Sequence, residues 1–200
     1  MALSPFFQKM NAWWKKLSGK QADPFKESLA AFQNRTIHGV LTLDILMATP
    51  DEELLQIVFD NLSDKMGDYQ QEAVILREQF NPSQQAIYLS WWLEAEVHNG
   101  GFNQFYVNSK GPFAEMIPEL LEGMNAMKFA KLTRKANQTY QLHQAQITQR
   151  QDGTLEGFSQ SYQDNPLNEL DQKFYDLYEQ ENLFDLQVAF IRKHQADFVD

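Results

Sequence analysis

Two hundred residues with 43% hydrophobic content make a chain long enough to bury a core without staples. Because it has no cysteine, a disulfide scaffold, a thiol nucleophile, a zinc finger and an iron–sulfur site are excluded, and four histidines leave little for other metal chemistry. The formal charge of −10 repels nucleic acid and anionic membrane, so direct nucleic-acid binding is excluded and basic partners are favoured.

The chain opens on a basic aromatic segment. Drawn as a helix, Leu3, Phe6, Phe7, Met10, Trp13, Trp14 and Leu17 fall within about 120° of arc, with Lys9, Lys15 and Lys16 away from them. Gly19 and Pro24 bracket a hinge, so residues 1–24 read as an amphipathic extension and residues 25–200 as one domain. Two readings of residues 1–20 stand open: a weak interfacial contact with membrane, or packing on protein. Neither a transmembrane run nor a secretory signal pattern is present, and the expected compartment is the cytoplasm.

From residue 36 the apolar spacing is helical nearly throughout, which predicts an all-α chain. Thr49-Pro50-Asp51-Glu52 predicts a helix start, with the hydroxyl as cap, and the helix runs to about Ser63. Its apolar side carries Leu54, Leu55, Val58, Phe59 and Leu62, while Glu53, Asp60 and Asp64 line the other side. Asn81-Pro82 opens a helix that is apolar all round and therefore central and buried, ending at Asn99-Gly100-Gly101. Helices at about 104–108, 113–123 and 126–148 follow, then a loop at 150–166 and closing helices at about 167–181 and 183–199.

Charge divides along the chain. Residues 36–100 carry eleven acids against two bases and residues 151–200 eleven against three, whereas residues 101–150 carry six bases against three acids. Lys128, Lys131, Arg134 and Lys135 cluster on the 126–148 helix, where a homodimer could pair them with a neighbour's acidic block.

The most distinctive stretch runs from Glu94 to Gly111. Glu94 and Glu96 sit on an otherwise apolar helix, and a buried carboxylate needs hydrogen bonds. The free backbone N–H groups of the double-glycine turn are the predicted donors to Glu96. The competing reading takes Glu94, Glu96 and His98 as acid–base or metal residues of an enzyme; it lacks a third ligand with recognisable spacing. No cofactor and no metal is expected.

Glu96, Asn99, Gly100, Gly101, Phe102, Phe105, Tyr106, Asn108, Ser109 and Gly111, with Gln104 among them, resemble the signature of the bacterial DNA-mimic-protein-nineteen-like family. Leu170-Asp171, Phe174-Tyr175, His194 and Phe198 resemble that family's C-terminal pattern, and the resemblance spans about residues 36–200. It implies an all-helical, dimeric, acidic protein whose surface carboxylates imitate DNA phosphates on a transcription factor, with the shared motif forming the fold. Residues four apart on a helix rise about 6 Å, of the order of the phosphate spacing along a strand, so Asp60 with Asp64 makes a feasible pair. With these, Asp171, Asp176, Glu179 and Asp185 are the expected contact residues of a non-catalytic module for a basic, DNA-binding partner. Neutralisation of another basic protein, such as a toxin, is the alternative, beside the enzyme.

Overall fold

The computed structural model describes residues 33–67, 71–108 and 111–200. The amphipathic extension, Ser109 and Lys110 lie outside the described residues. The chain divides into two units, Met1–Ile37 and His38–Asp200, and the architecture below is that of the second.

Among the described residues all regular structure is helical. The helices are α1 (Leu43–Ala48), α2 (Asp51–Met66), α3 (Glu72–Glu78), α4 (Pro82–Val107), α5 (Ile117–Gly123), α6 (Met127–Thr148), α7 (Leu155–Gln160), α8 (Asn168–Asp176) and α9 (Leu183–Lys193). Short 3-10 turns at Gly111–Phe113, Leu177–Glu179 and Gln195–Asp197 lie between or after them. The all-α expectation holds.

Helix α4 is the centre of this arrangement, packed by α2, α5, α6 and α8, while α9 lies on α2. Apolar residues on all sides of α4 make that position the stable one, and Ile87, Tyr88, Leu89, Leu93, Val97, Phe102 and Phe105 are fully buried. Its start follows the sequence signal. The Asn81 side chain accepts from Gln84 N at 2.9 Å, the Gln84 side chain accepts from Asn81 N at 3.1 Å, and Pro82 takes the first helical position.

Several boundaries differ from the sequence reading. Thr49 does not cap α2: its hydroxyl donates to Ile45 O at 2.7 Å and closes α1, and Pro50 precedes the first helical residue of α2. The corner between the two helices is held instead by Arg192 of α9, whose guanidinium donates to Asp51 Oδ1 at 2.6 and 2.8 Å and to Thr49 O at 2.6 Å. Helices α1 and α3 add to the elements that the sequence predicts. The expected 150–166 loop contains α7, capped by Thr154 accepting from Gly157 N at 3.0 Å. The two closing helices are shorter than predicted, each ending in a 3-10 turn.

Candidate functional site

The sequence motif lies where α4 breaks. Gly100 (φ −164°, ψ 29°) and Gly101 (φ 69°, ψ −177°) leave helical geometry, yet the chain re-enters the helix at once and runs to Val107. The predicted helix end is therefore a kink, and the predicted 104–108 helix is the second half of α4. A kink removes backbone partners on both sides, and each half needs substitutes.

The substitutes come from the C-terminal third of the chain. Tyr175 Oη donates to Val97 O at 2.8 Å and Tyr162 Oη to Gly100 O at 2.7 Å, while Asp171 Oδ1 accepts from Phe102 N at 2.7 Å. Asp171 thus acts as the cap of the second half of α4, with its negative charge at the positive end of that segment's dipole. This corrects two expectations. The carboxylate bonded to the double-glycine backbone is Asp171 and not Glu96, and Asp171 faces the kink instead of outward.

Glu96 is 3% exposed, and two side-chain amides bond it. Gln104 Nε2 and Asn108 Nδ2 both donate to its Oε2 at 2.6 Å, stapling the first half of α4 to the second across the kink. Phe102 packs edge-on against Phe174, and Tyr106 stacks on Tyr140 at 4.1 Å while donating to Asn137 Oδ1 at 2.7 Å. Phe105 is fully buried, Asn99 is half-buried and Gly111 begins the 3-10 turn after α4. The motif residues thus form one long-range joint between α4, α6 and α8.

Burial pushes the Asp171 carboxyl up to about 6, and the bond from Phe102 N acts in the opposite direction. Burial also pushes the Tyr162 phenol up to about 12 and raises Tyr175, each with a further contribution from the charge of Asp171. An acid raised in the folded state binds its proton more readily there than when unfolded. Its stabilising contribution is full below the unfolded value near 3.8 and is lost as pH rises through about 6. Between pH 7.5 and pH 5 the wild type should therefore gain stability relative to Asp171→Asn, as read from paired urea midpoints at the two pH values. Parallel pH profiles would contradict this.

The enzyme reading singled out Glu94, Glu96 and His98. Glu94 accepts from Tyr178 Oη at 2.5 Å, and burial raises its carboxyl. The His98 ring lies against Tyr175 and Tyr178, with centroids at 5.4 and 5.3 Å, and partial burial of the ring lowers its pKa. Glu96 is occupied by the two amides. Among the described residues no group of three His, Asp or Glu side chains is placed to hold a metal ion.

The remaining contact candidates separate by exposure. Asp60 is 6% exposed and accepts from Gln56 Nε2 at 2.8 Å, so the outer face predicted for it is corrected to a buried one. Asp64, Asp176, Glu179 and Asp185 are exposed. Asp176 receives Gln172 Nε2 at 2.8 Å, and none of the four pairs with a lysine or arginine among the described residues. On the inner side of this segment, Leu170, Asp171, Phe174, Tyr175 and Tyr178 point toward α4 or the core, which leaves Glu169, Gln172, Lys173 and Asp176 outside. Glu181 is taken up structurally: it accepts from Lys128 N and Phe129 N and caps α6. Sequence spacing gave no signal for that role, which joins residues more than fifty positions apart.

A family model described as DMP19-like protein matches residues 78–194. The chain belongs to the DMP19-like family. The match begins at the end of α3 and ends just after α9, so the DMP19-like region holds the kinked helix, its caps Asp171, Tyr162 and Tyr175, and the exposed acids Asp176, Glu179 and Asp185. Asp64 and α2 lie outside it, a shorter span than the resemblance suggested. No curated protein and no solved structure matches the chain. Among the described residues no helix is long and apolar enough to cross a membrane.

Proposed function

We propose that this chain is a non-catalytic acidic binding module that occupies the basic, DNA-contacting face of a partner protein. The observation that carries the reading is that Asp176, Glu179 and Asp185, inside the DMP19-like region, are exposed and have no lysine or arginine partner among the described residues. The family's name supports the DNA-like use of those charges, and the net charge of −10 favours a basic partner. Three residues in a 3-10 turn rise about 6 Å, so Asp176 and Glu179 present charge at a step of the order of neighbouring phosphates. The 3-10 turn and α9 follow directly on α8, which is fastened to α4 through Asp171 and Tyr175. That anchoring gives the segment that carries these carboxylates a fixed base and lowers the entropy lost on binding.

Salt dependence tests it. Immobilised protein should capture a basic partner from host extract at low salt and release it at moderate salt, because screening weakens exposed charge pairs beyond a Debye length of about 10 Å at 0.1 M. The triple variant Asp176→Asn, Glu179→Gln, Asp185→Asn should lose that capture while unfolding at the wild-type midpoint. Equal capture by both proteins would contradict the assignment of these residues.

A further inference from the structure

Asp176 and Glu179 stand on a segment whose inner side is fastened at every third residue. Tyr175 Oη donates to Val97 O at 2.8 Å, Tyr178 Oη donates to Glu94 Oε1 at 2.5 Å, and Glu181 Oε2 accepts from Lys128 N at 3.1 Å and Phe129 N at 3.3 Å. Residues three apart eclipse in 3-10 geometry, so Tyr175, Tyr178 and Glu181 share one side while Asp176 and Glu179 share the next. Of these three anchors Tyr178 alone belongs to the turn itself, Leu177–Glu179, and its acceptor Glu94 is half-buried on α4.

The end of a helix takes 3-10 or α form at little cost, so one side-chain bond is enough to select between them. The backbone here carries bonds of both kinds: Gln180 N and Glu181 N each donate to Leu177 O at 2.8 Å, the first closing a 3-10 turn and the second an α turn. The two forms place charge differently. Three residues rise about 6 Å and return to the same side in the 3-10 form, but they rise about 4.5 Å and fall about 60° short in the α form. The Tyr178 ring is held against Phe129 and His98, with centroids at 5.2 and 5.3 Å, and its hydroxyl ties the turn to Glu94.

We propose that the Tyr178 hydroxyl and the Glu94 carboxyl group form a latch that selects the 3-10 form and so sets the spacing at which Asp176 and Glu179 meet a basic partner. Both are positioning residues, because they act through the two exposed carboxylates. Phenylalanine in place of Tyr178 keeps the ring contacts and loses only the bond, and glutamine in place of Glu94 keeps an oxygen that accepts it. The inference rests on the reading of the chain as a binder of basic proteins, and it names the residues behind the contact.

Nuclear magnetic resonance of the isotope-labelled full chain tests it with two readouts. Without any ligand, the backbone amides of Gln180 and Glu181 should exchange their hydrogens about tenfold faster in Tyr178→Phe, while those of the buried Leu93 and Val97 keep their wild-type rates. With hexa-arginine peptide as the probe at low salt, half-saturation at the amides of residues 176–181 should need about threefold more peptide in Tyr178→Phe and in Glu94→Leu. Glu94→Gln should bind as the wild type does, and Tyr178→Phe combined with Glu94→Leu should be no weaker than either alone, as one shared bond requires. Unchanged exchange at Gln180 and Glu181 in Tyr178→Phe, or a loss in Glu94→Gln equal to that in Glu94→Leu, would overturn the latch. The variant Asp176→Asn with Glu179→Gln separates the two claims. Peptide binding unchanged by that pair would overturn the role of the carboxylates, and with it the positioning role, even where the exchange rates show the bond holding the turn.

Discussion

Gly101→Ala should lower stability by about 3 kcal/mol, a fall of about 10 °C in the unfolding midpoint of a chain this size. Two costs coincide at this position. Its backbone sits at φ 69° and ψ −177°, a region that side chains rarely adopt, and a Cβ built there would lie 2.2 Å from Asp171 Oδ2. Relief of the contact requires Asp171 to withdraw, which releases Phe102 N and uncaps the second half of α4. Gly123→Ala is the matched control: no atom lies within 4 Å of its added Cβ and its φ is ordinary, so it should be neutral or stabilising by up to about 1 kcal/mol. Denaturant unfolding of both variants checks the pair. If Gly101→Ala were as stable as Gly123→Ala, the kink would not be the constraint described.

Glu96→Ala should cost a comparable amount, about 3 kcal/mol, because two buried or half-buried amides lose their acceptor together. Glu96→Gln separates charge from geometry. Gln104 and Asn108 both donate to the same oxygen, and a glutamine carbonyl placed there retains both bonds, so this variant should lose only about 1 kcal/mol. Equal losses in the two variants would mean that the negative charge matters more than the position of the acceptor. In both, far-ultraviolet circular dichroism should show helix content retained, since most of α4 is held by its apolar packing.

These variants also mark how much the sequence could reveal. The start of α4 was legible because its signals are local: Asn81, Pro82 and Gln84 stand within four positions of one another. Its burial was legible from apolar residues on every side. The continuation past Gly100-Gly101 was not, because a glycine pair is locally a helix stop, and what keeps the rod going comes from Tyr162, Asp171 and Tyr175, 62 to 78 residues away. Helices α1 and α3, six and seven residues long, are too short to establish a period.

The site was read unevenly for the same reason. Spacing on α2 put Asp60 opposite the apolar stripe, but periodicity describes one helix and says nothing of what covers its other side. Asp171 looked like one more surface acid because its partner, the Phe102 amide, has no signature in sequence. Asp176, Glu179 and Asp185 were legible as exposed because the apolar positions beside them, Phe174, Leu183 and Val188, define an inner face. The Arg134–Glu122 ion pair has no sequence signal, because only the packing of α5 on α6 brings the two side chains together.

Competition with DNA tests the binding role most directly. With the captured basic partner in hand, its complex with duplex DNA should be displaced by the wild-type chain in a concentration-dependent manner. The triple variant at Asp176, Glu179 and Asp185 should displace at least about tenfold less well, as expected when several charge-assisted contacts are lost. A ternary complex in which partner, DNA and this chain bind together would contradict occupation of the DNA-contacting face.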